Sequence, residues 1–433
     1  MKVTAASFSI VQDRSPTLGK PLINWLVLII GLGLVPELHA YRLGMLGEEP
    51  DWSRLDDYQN TMHREEFVAA LETVYLPYGY DERYVTVNPG YALIKKDGHE
   101  EATFYRLNFA PWSPQSMGKS SGEKHVRSNE KPLDGLVIAI DPGHIGGEFS
   151  EMEARHFQIG EDPPVKEGDL TLVVSRKLKD ALEALGAKAT LIRTAAEPVT
   201  QKRPEDFWYQ AEAIEQQFYM EQEGVTLENT PWETEWFKKL ISARAEMLFY
   251  RVSEIQSRAD IINKQIKPDL TLAVHFNVTP WIEETQQVLS EDNHMHVIVH
   301  GTYTPGELAL DDVRLHLFEK LLSRNHELEV PMGAAIADSL AKVTQMSAFS
   351  YAGKNASNQG ENPYLWARNL LANRLYAGPV VFLEAYCTNS QLVYERIQLG
   401  DYEGLINVGG EMRQSLFAEY VQGVVEGLVD YFE

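Results

Sequence analysis

The sequence predicts an α/β protein built around a parallel β-sheet, and three observations carry that prediction. Leu136-Val137-Ile138-Ala139-Ile140 is an apolar, β-branched run that stops at Asp141-Pro142-Gly143, a pattern that reads as a buried strand and its sharp end. An amphipathic stretch opens at Glu167, is apolar at Leu172, Val173, Leu178 and Leu182, and ends at Gly186, where a helix C-terminal glycine is expected. Ala189 to Arg193 then reads as another strand. Strand, loop, helix, strand is a βαβ unit, and such a unit implies parallel pairing.

Taken in order, the chain opens with Lys2, Arg14 and Lys20 ahead of an apolar run from Leu22 to Val35, followed by Leu38-His39-Ala40. The run is short for a membrane span of about 20 residues. Its order of basic, apolar and small residues is that of a signal peptide. Residues 1–40 are therefore expected to be a signal peptide or N-terminal anchor, placing the protein in the periplasm or cell envelope. Residues 41–112 read as a small α+β module. Thr61 caps a helix through Val74 with Phe67, Leu71 and Val74 at helical spacing, and strands follow at Tyr84–Ile94 and Ala102–Phe109. The module shows no catalytic group, and His63 and His99 read as surface residues. Residues 113–132, rich in Ser, Gly, Lys and Asn, read as a linker.

Residues 133–433 form the second domain. A helical insertion at about 198–258, carrying Phe207, Trp208, Tyr209, Trp232, Trp236 and Phe237, interrupts its rhythm. Lying between two strands that end in polar residues, this insertion is a candidate lid. Further strands are expected at Asp269–His275, His294–His300 and Val380–Glu384. Helices are expected at Leu308–Glu329, Pro331–Met346 and Gln414–Tyr431.

Composition narrows the function. Of 433 residues, 44% are apolar and 24% charged, ordinary values for a core-forming globular chain. A formal net charge of −24 argues against a nucleic-acid partner, because phosphate binding needs clustered Lys and Arg. Cys387 is the single cysteine, so there is no intrachain disulfide and a cysteine-based zinc site is ruled out of consideration. It reads as a small buried residue, since nothing basic stands beside it to favour a thiolate.

Three strands of this sheet run into chemistry, at His144, His275 and Glu384, and Glu167 opens the helix after the first of them. Strand ends of one parallel sheet converge on one edge, so these groups can meet in space. Two imidazoles and one carboxylate with an open position make a catalytic zinc site. A second carboxylate is needed to take a proton from water and hand it to a leaving amine. Two His and two Glu fill all four roles. His294, His296 and His300 alternate onto one strand face, which reads as a wet or substrate-lining face. Asn277 reads as orienting substrate or capping a turn.

Asp141-Pro142-Gly143-His144, Glu167 with Asp169-Leu170, Pro268-Asp269-Leu270 leading to His275-Phe276-Asn277, and Glu384 before Thr388-Asn389-Ser390 resemble the zinc-dependent N-acetylmuramoyl-L-alanine amidases of the amidase type 3 class. Arg258 and Asn263 fit that family's Arg-then-Asn element. The resemblance covers about Leu136 to Glu433. It implies a mixed, mainly parallel sheet with helices on both faces, zinc on His144, Glu167 and His275, and Glu384 as general acid/base. The implied reaction is hydrolysis of the amide joining N-acetylmuramic acid to L-alanine in peptidoglycan, with an envelope activator protein as a possible partner. Three departures stand out. The interval from His144 to Glu167 is long and contains Glu151, Glu153 and His156 as competing ligands. Tyr386 stands where the family has glycine, and the 198–258 segment exceeds the family's connection. The alternatives are a zinc hydrolase of the same fold acting on another amide, or a non-catalytic cell-wall-binding protein.

Overall fold

The computed structural model describes residues 42–97, 103–111, 131–220, 230–281 and 287–433. The expected signal or anchor segment, His99 and nearly all of the linker lie outside the described residues. None of the described helices is long and apolar enough to cross a membrane.

In chain order, β1 (Val85–Val87), β2 (Tyr91–Lys95) and β3 (Phe104–Asn108) make a small antiparallel sheet. The run expected to be one strand from Tyr84 is thus a hairpin, folded where Asn88-Pro89-Gly90 turns the chain and Asn88 N donates to Tyr91 O at 2.8 Å. The preceding helix starts at Arg64, not at Thr61. His63 is its N-cap and its backbone N–H reaches Glu66 Oε2 at 3.0 Å, while the Thr61 hydroxyl donates back to Tyr58 O.

The main sheet uses β4 (Val137–Pro142), then, past a short ribbon of β5 (His156–Phe157) and β6 (Val165–Lys166), β7 (Lys188–Leu191), β8 (Leu270–Asn277), β9 (His294–Val299), β10 (Ser347–Ala348), β11 (Ser357–Asn358), β12 (Leu365–Ala367) and β13 (Val380–Cys387). Its order is β11-β12-β9-β13-β8-β4-β7, with β10 on β9. The strands β7, β4, β8 and β13 are parallel, and β9 runs antiparallel to β13. The sheet is mixed and mainly parallel, as the sequence implied.

Alternation along these strands loads both faces. Ile138, Ile140, Leu272, Val274, Val297 and Leu383 join the main core beneath the helices Glu167–Ala184, His326–Thr344 and Leu416–Phe432. Ala139, Ala273, Ile298 and Phe382 pack on the other face with Ala259, Ile262, Ala372 and Tyr376. Each fully buried large apolar side chain contributes roughly 1.5–3 kcal/mol. The 41–112 segment shares the main core: Phe67 is fully buried and stacks on Phe318 with ring centroids 6.0 Å apart.

The helix break expected at Pro331 falls earlier, at Arg324, whose φ of +57° ends the Asp311–Leu322 helix. Pro331 lies inside the next helix, at its sixth position, where it removes one backbone donor from the helical ladder. The 198–258 segment contains helices at Trp208–Met220 and Glu235–Met247. Its apolar side chains gather around Ile145, the residue after His144, together with Phe207, Phe237, Ile241 and Phe249.

Candidate functional site

The Asp141-Pro142-Gly143-His144 corner is held by two buried arginines. Arg258 pairs with Asp141 at 2.8 Å and with Glu254 at 2.8 Å, and donates to Pro142 O at 2.8 Å and His144 O at 2.7 Å. Arg193 donates to Pro142 O and Gly143 O, each at 3.1 Å. Removing one partner of such a buried pair costs on the order of 3–5 kcal/mol. The clamp fixes His144 at φ +58°, a left-handed conformation that a histidine adopts only when its surroundings impose it. Gly143 is required for close approach, because a Cβ there would overlap the His275 ring.

Four elements then bring the expected groups together. His144 Nε2 lies 3.3 Å from Glu167 Oε2, and His275 Nδ1 lies 3.2 Å from Glu167 Oε1. The two imidazole rings meet edge to face with centroids 5.0 Å apart. Ligand atoms of His144, Glu167 and His275 all lie within 4.8 Å of one another, the single such group of three or more among the described residues. Glu167 is 4% exposed and also accepts from Phe276 N at 3.1 Å. Gly168 lets its helix start approach Gly146 so closely that a Cβ would overlap the backbone there.

The long loop resolves the competition among carboxylates. Glu153 turns to the other nitrogen of His144, 3.3 Å from Nδ1, and accepts from Ile145 N at 2.9 Å and Gly146 N at 3.2 Å. A carboxylate on the far nitrogen of an imidazole fixes its orientation and leaves Nε2 free for a cation. Glu151 is exposed, and His156 pairs its backbone with Lys166 in the ribbon. The Arg155 side chain places its Nε 3.1 Å from Glu167 Oε2 and 3.2 Å from His144 Nε2. A positive charge therefore already faces the donor atoms that a metal would use, and two imidazoles with one carboxylate suit zinc.

The shifts of His144 and Glu167 both favour the charged form. Burial opposes a charged His144, but Glu167 and Glu153 outweigh it and raise its pKa to about 9. Burial works to raise the Glu167 pKa, yet His144, His275 and Arg155 hold it well below the usual carboxylate range. A cation bound by these atoms would replace the His144 proton.

Glu384 lies in register with His275 on β8 and with His296 on β9, so all three share one face at strand spacing. Its Oε2 is buried with no hydrogen-bond partner among the described residues. Burial, reinforced by the charge of Glu167, pushes its pKa up to about 8. A carboxyl group poised near neutral pH beside a cation site can both take and give a proton.

The remaining expectations divide. The His294, His296 and His300 row is buried, not wet. His296 borders Glu384, whereas His300 donates to or accepts from the Tyr303 hydroxyl at 2.8 Å and packs against Tyr75 in the core. Asn277 takes a local role, accepting from Val278 N at 2.8 Å with its amide 3.2 Å from His294 Nε2. Asn263 bridges Leu375 O and Ala377 N, at 2.8 and 2.7 Å, away from the cluster. Cys387 is buried, and burial lifts its pKa to about 12. Arg155 and Arg193 escape sequence reasoning, since isolated polar residues in loops carry no periodic signal.

No protein-family model matches the chain, and no curated protein matches it. Solved structures similar to it include the N-acetylmuramyl-L-alanine amidase Ami1 from Mycobacterium abscessus, at 14% identity and TM-score 0.37, covering 70% of this chain and 100% of that one. The amidase AmiC2 of Nostoc punctiforme aligns at 12% identity and TM-score 0.34, covering 68% of this chain and 96% of that one. The CwlD amidase from Clostridioides difficile, solved with the GerS lipoprotein, aligns at 12% identity and TM-score 0.37, covering 68% and 98%. Likeness this slight carries no functional conclusion.

Proposed function

We propose that the chain is a zinc-dependent hydrolase of the amide between N-acetylmuramic acid and L-alanine in peptidoglycan. The observation that carries the reading is the convergence of His144, Glu167 and His275 within 4.8 Å, beside a buried, unpartnered Glu384 oxygen. The three residues would hold the metal, which when bound supplies a Lewis acid toward water and the scissile carbonyl.

The chain's own residues account for the rest. Glu384 takes a proton from the attacking water as oxygen joins the carbonyl carbon. It returns that proton to the alanine nitrogen as the C–N bond breaks, and the second proton of the water passes from the new carboxyl group to the amine, leaving a lactyl carboxylate and an ammonium group. Glu153 orients His144 through Nδ1. Phe382 stacks on the His275 ring with centroids 4.3 Å apart, which fixes the ring plane and excludes water from its rear. Residues 1–40, as a signal peptide or anchor, would deliver the protein to the substrate's side of the cytoplasmic membrane, where an envelope activator would regulate it.

The test is metal analysis of purified protein together with mass spectrometry of digested peptidoglycan. Stem peptides with free N-terminal alanine, lost on chelation and in Glu384→Ala, are expected. Folded protein without bound zinc, or digests without such peptides, would overturn the reading.

A further inference from the structure

The face that carries His275 and Glu384 continues beyond them. His296 pairs with Glu384, and Ile298 on the same face pairs with Trp366 of β12. Phe349 and Tyr351 close over this end: Phe349 lies 4.9 Å from His296 and 4.8 Å from Tyr351, and Tyr351 lies 5.2 Å from Trp366, centroid to centroid. His296 is 3% exposed. Its Nε2 meets the Tyr351 hydroxyl at 3.0 Å, while its Nδ1 is buried with no partner among the described residues. Arg368 donates to the same hydroxyl at 3.3 Å, and its guanidinium lies 5.3 Å from the Tyr351 ring centroid.

Among the described residues no carboxylate forms an ion pair with Arg368, in a chain with 63 acidic and 39 basic residues. Arg155, the other arginine whose charge acts on Glu384, is engaged with Glu167. Arg368 therefore presents a guanidinium fork that is bonded to a neutral oxygen and steadied over an aromatic ring, the arrangement that suits a carboxylate.

The order of groups across the sheet gives this wall a direction. The cation donors stand on the β4 and β8 side, Glu384 in the middle, and the wall on the β9 and β12 side. The acid that protonates the leaving amine must lie beside the leaving group, so the departing peptide extends from Glu384 toward β9. Resting on the peptidoglycan amidase reading, we infer that Arg368, Tyr351 and His296 form a subsite that binds a carboxylate of the leaving peptide. The sugar then lies on the opposite side, toward β4.

The test uses the zinc-loaded full chain and two muropeptides that differ only in whether the peptide carboxylates are free or amidated. The wild type is expected to favour the free acid by about 10- to 100-fold in kcat/KM, chiefly through KM, as for a charge-assisted contact. Arg368→Ala brings that ratio toward one with zinc content retained. Arg368→Lys restores part of it, and Tyr351→Phe lowers it without removing the charge. Calorimetry of free stem peptide on Glu384→Gln protein is expected to show binding that Arg368→Ala weakens by a similar factor. Equal ratios in the wild type and these variants, on a substrate that the wild type cleaves, overturn the subsite and leave the hydrolase reading intact. A wild type that cleaves neither muropeptide overturns that reading and the subsite with it.

Discussion

His275 and His296 flank Glu384 on one face of one sheet, one strand to either side, yet their surroundings assign them opposite work. His275 has Glu167 at 3.2 Å and His144 beside it. His296 has a tyrosine hydroxyl and, among the described residues, no carboxylate partner. Burial lowers the pKa of both. For His275 the Glu167 hydrogen bond opposes that lowering, whereas for His296 the charges of His294 and Arg368 add to it and bring it to about 3. The residue type and the strand position are the same. The carboxylate neighbour makes one a candidate ligand and leaves the other a neutral wall.

The sharpest way to break that contrast is to delete each histidine. His275→Ala is expected to abolish zinc retention and reduce hydrolysis by more than about a thousandfold, while His296→Ala keeps zinc. Metal content after dialysis, read beside the melting transition, separates the two; zinc lost from both would erase the distinction. Glu384→Gln, between them, should keep zinc and fold but lose about 10²- to 10⁴-fold in kcat. Turnover close to wild type in that variant would remove Glu384 from the chemistry.

A smaller effect sharpens the β4 side. Glu153→Gln weakens the support of His144 and is expected to lower zinc affinity by about 10- to 100-fold, measured by competition with a chromophoric chelator. An unchanged affinity would reduce Glu153 to a loop staple. The smallest effect concerns pH. His296 has a folded pKa depressed to about 3 from 6.5, so the stability it contributes is present above pH 6.5 and is lost as pH falls through about 3. The loss reaches about 1.4 kcal/mol per pH unit for one group. Urea denaturation of metal-free protein between pH 7 and pH 4 should show a shallower pH dependence in His296→Gln than in the wild type. Parallel curves would place the acid sensitivity elsewhere.

Much of the site was legible because strand ends announce themselves. Ile140-Asp141-Pro142-Gly143 and Val380–Glu384 each combine an apolar run with an abrupt polar stop, and the structure sets both against the same stretch of β8, beside Val274 and His275. Glu167 was legible as the opening carboxylate of an amphipathic helix. The hairpin at Asn88-Pro89-Gly90 carries a turn signal, but the apolar residues on either side of it read equally as one longer strand. Glu153 was visible only as one of several carboxylates in a loop, since choosing among Glu151, Glu153 and Glu167 requires the loop's path. The burial of His294 and His296 was hidden for another reason. Period-2 alternation shows which residues share a face, but not that Phe349 and Tyr351, more than fifty residues later, cover it.

By itself the sequence determined the α/β class and the βαβ unit and marked His144, His275 and Glu384 as strand-end candidates, because apolar periodicity and its sharp ends are local properties of the chain. Only the tertiary structure decided that β9 inserts antiparallel beside β13, that Glu153 serves the far side of His144, and that Arg258 and Arg193 lock the His144 corner. Those outcomes depend on register and on contacts between residues distant in sequence. No local pattern encodes them, because side chains brought together by a sheet's strand order share nothing along the chain that reveals their meeting.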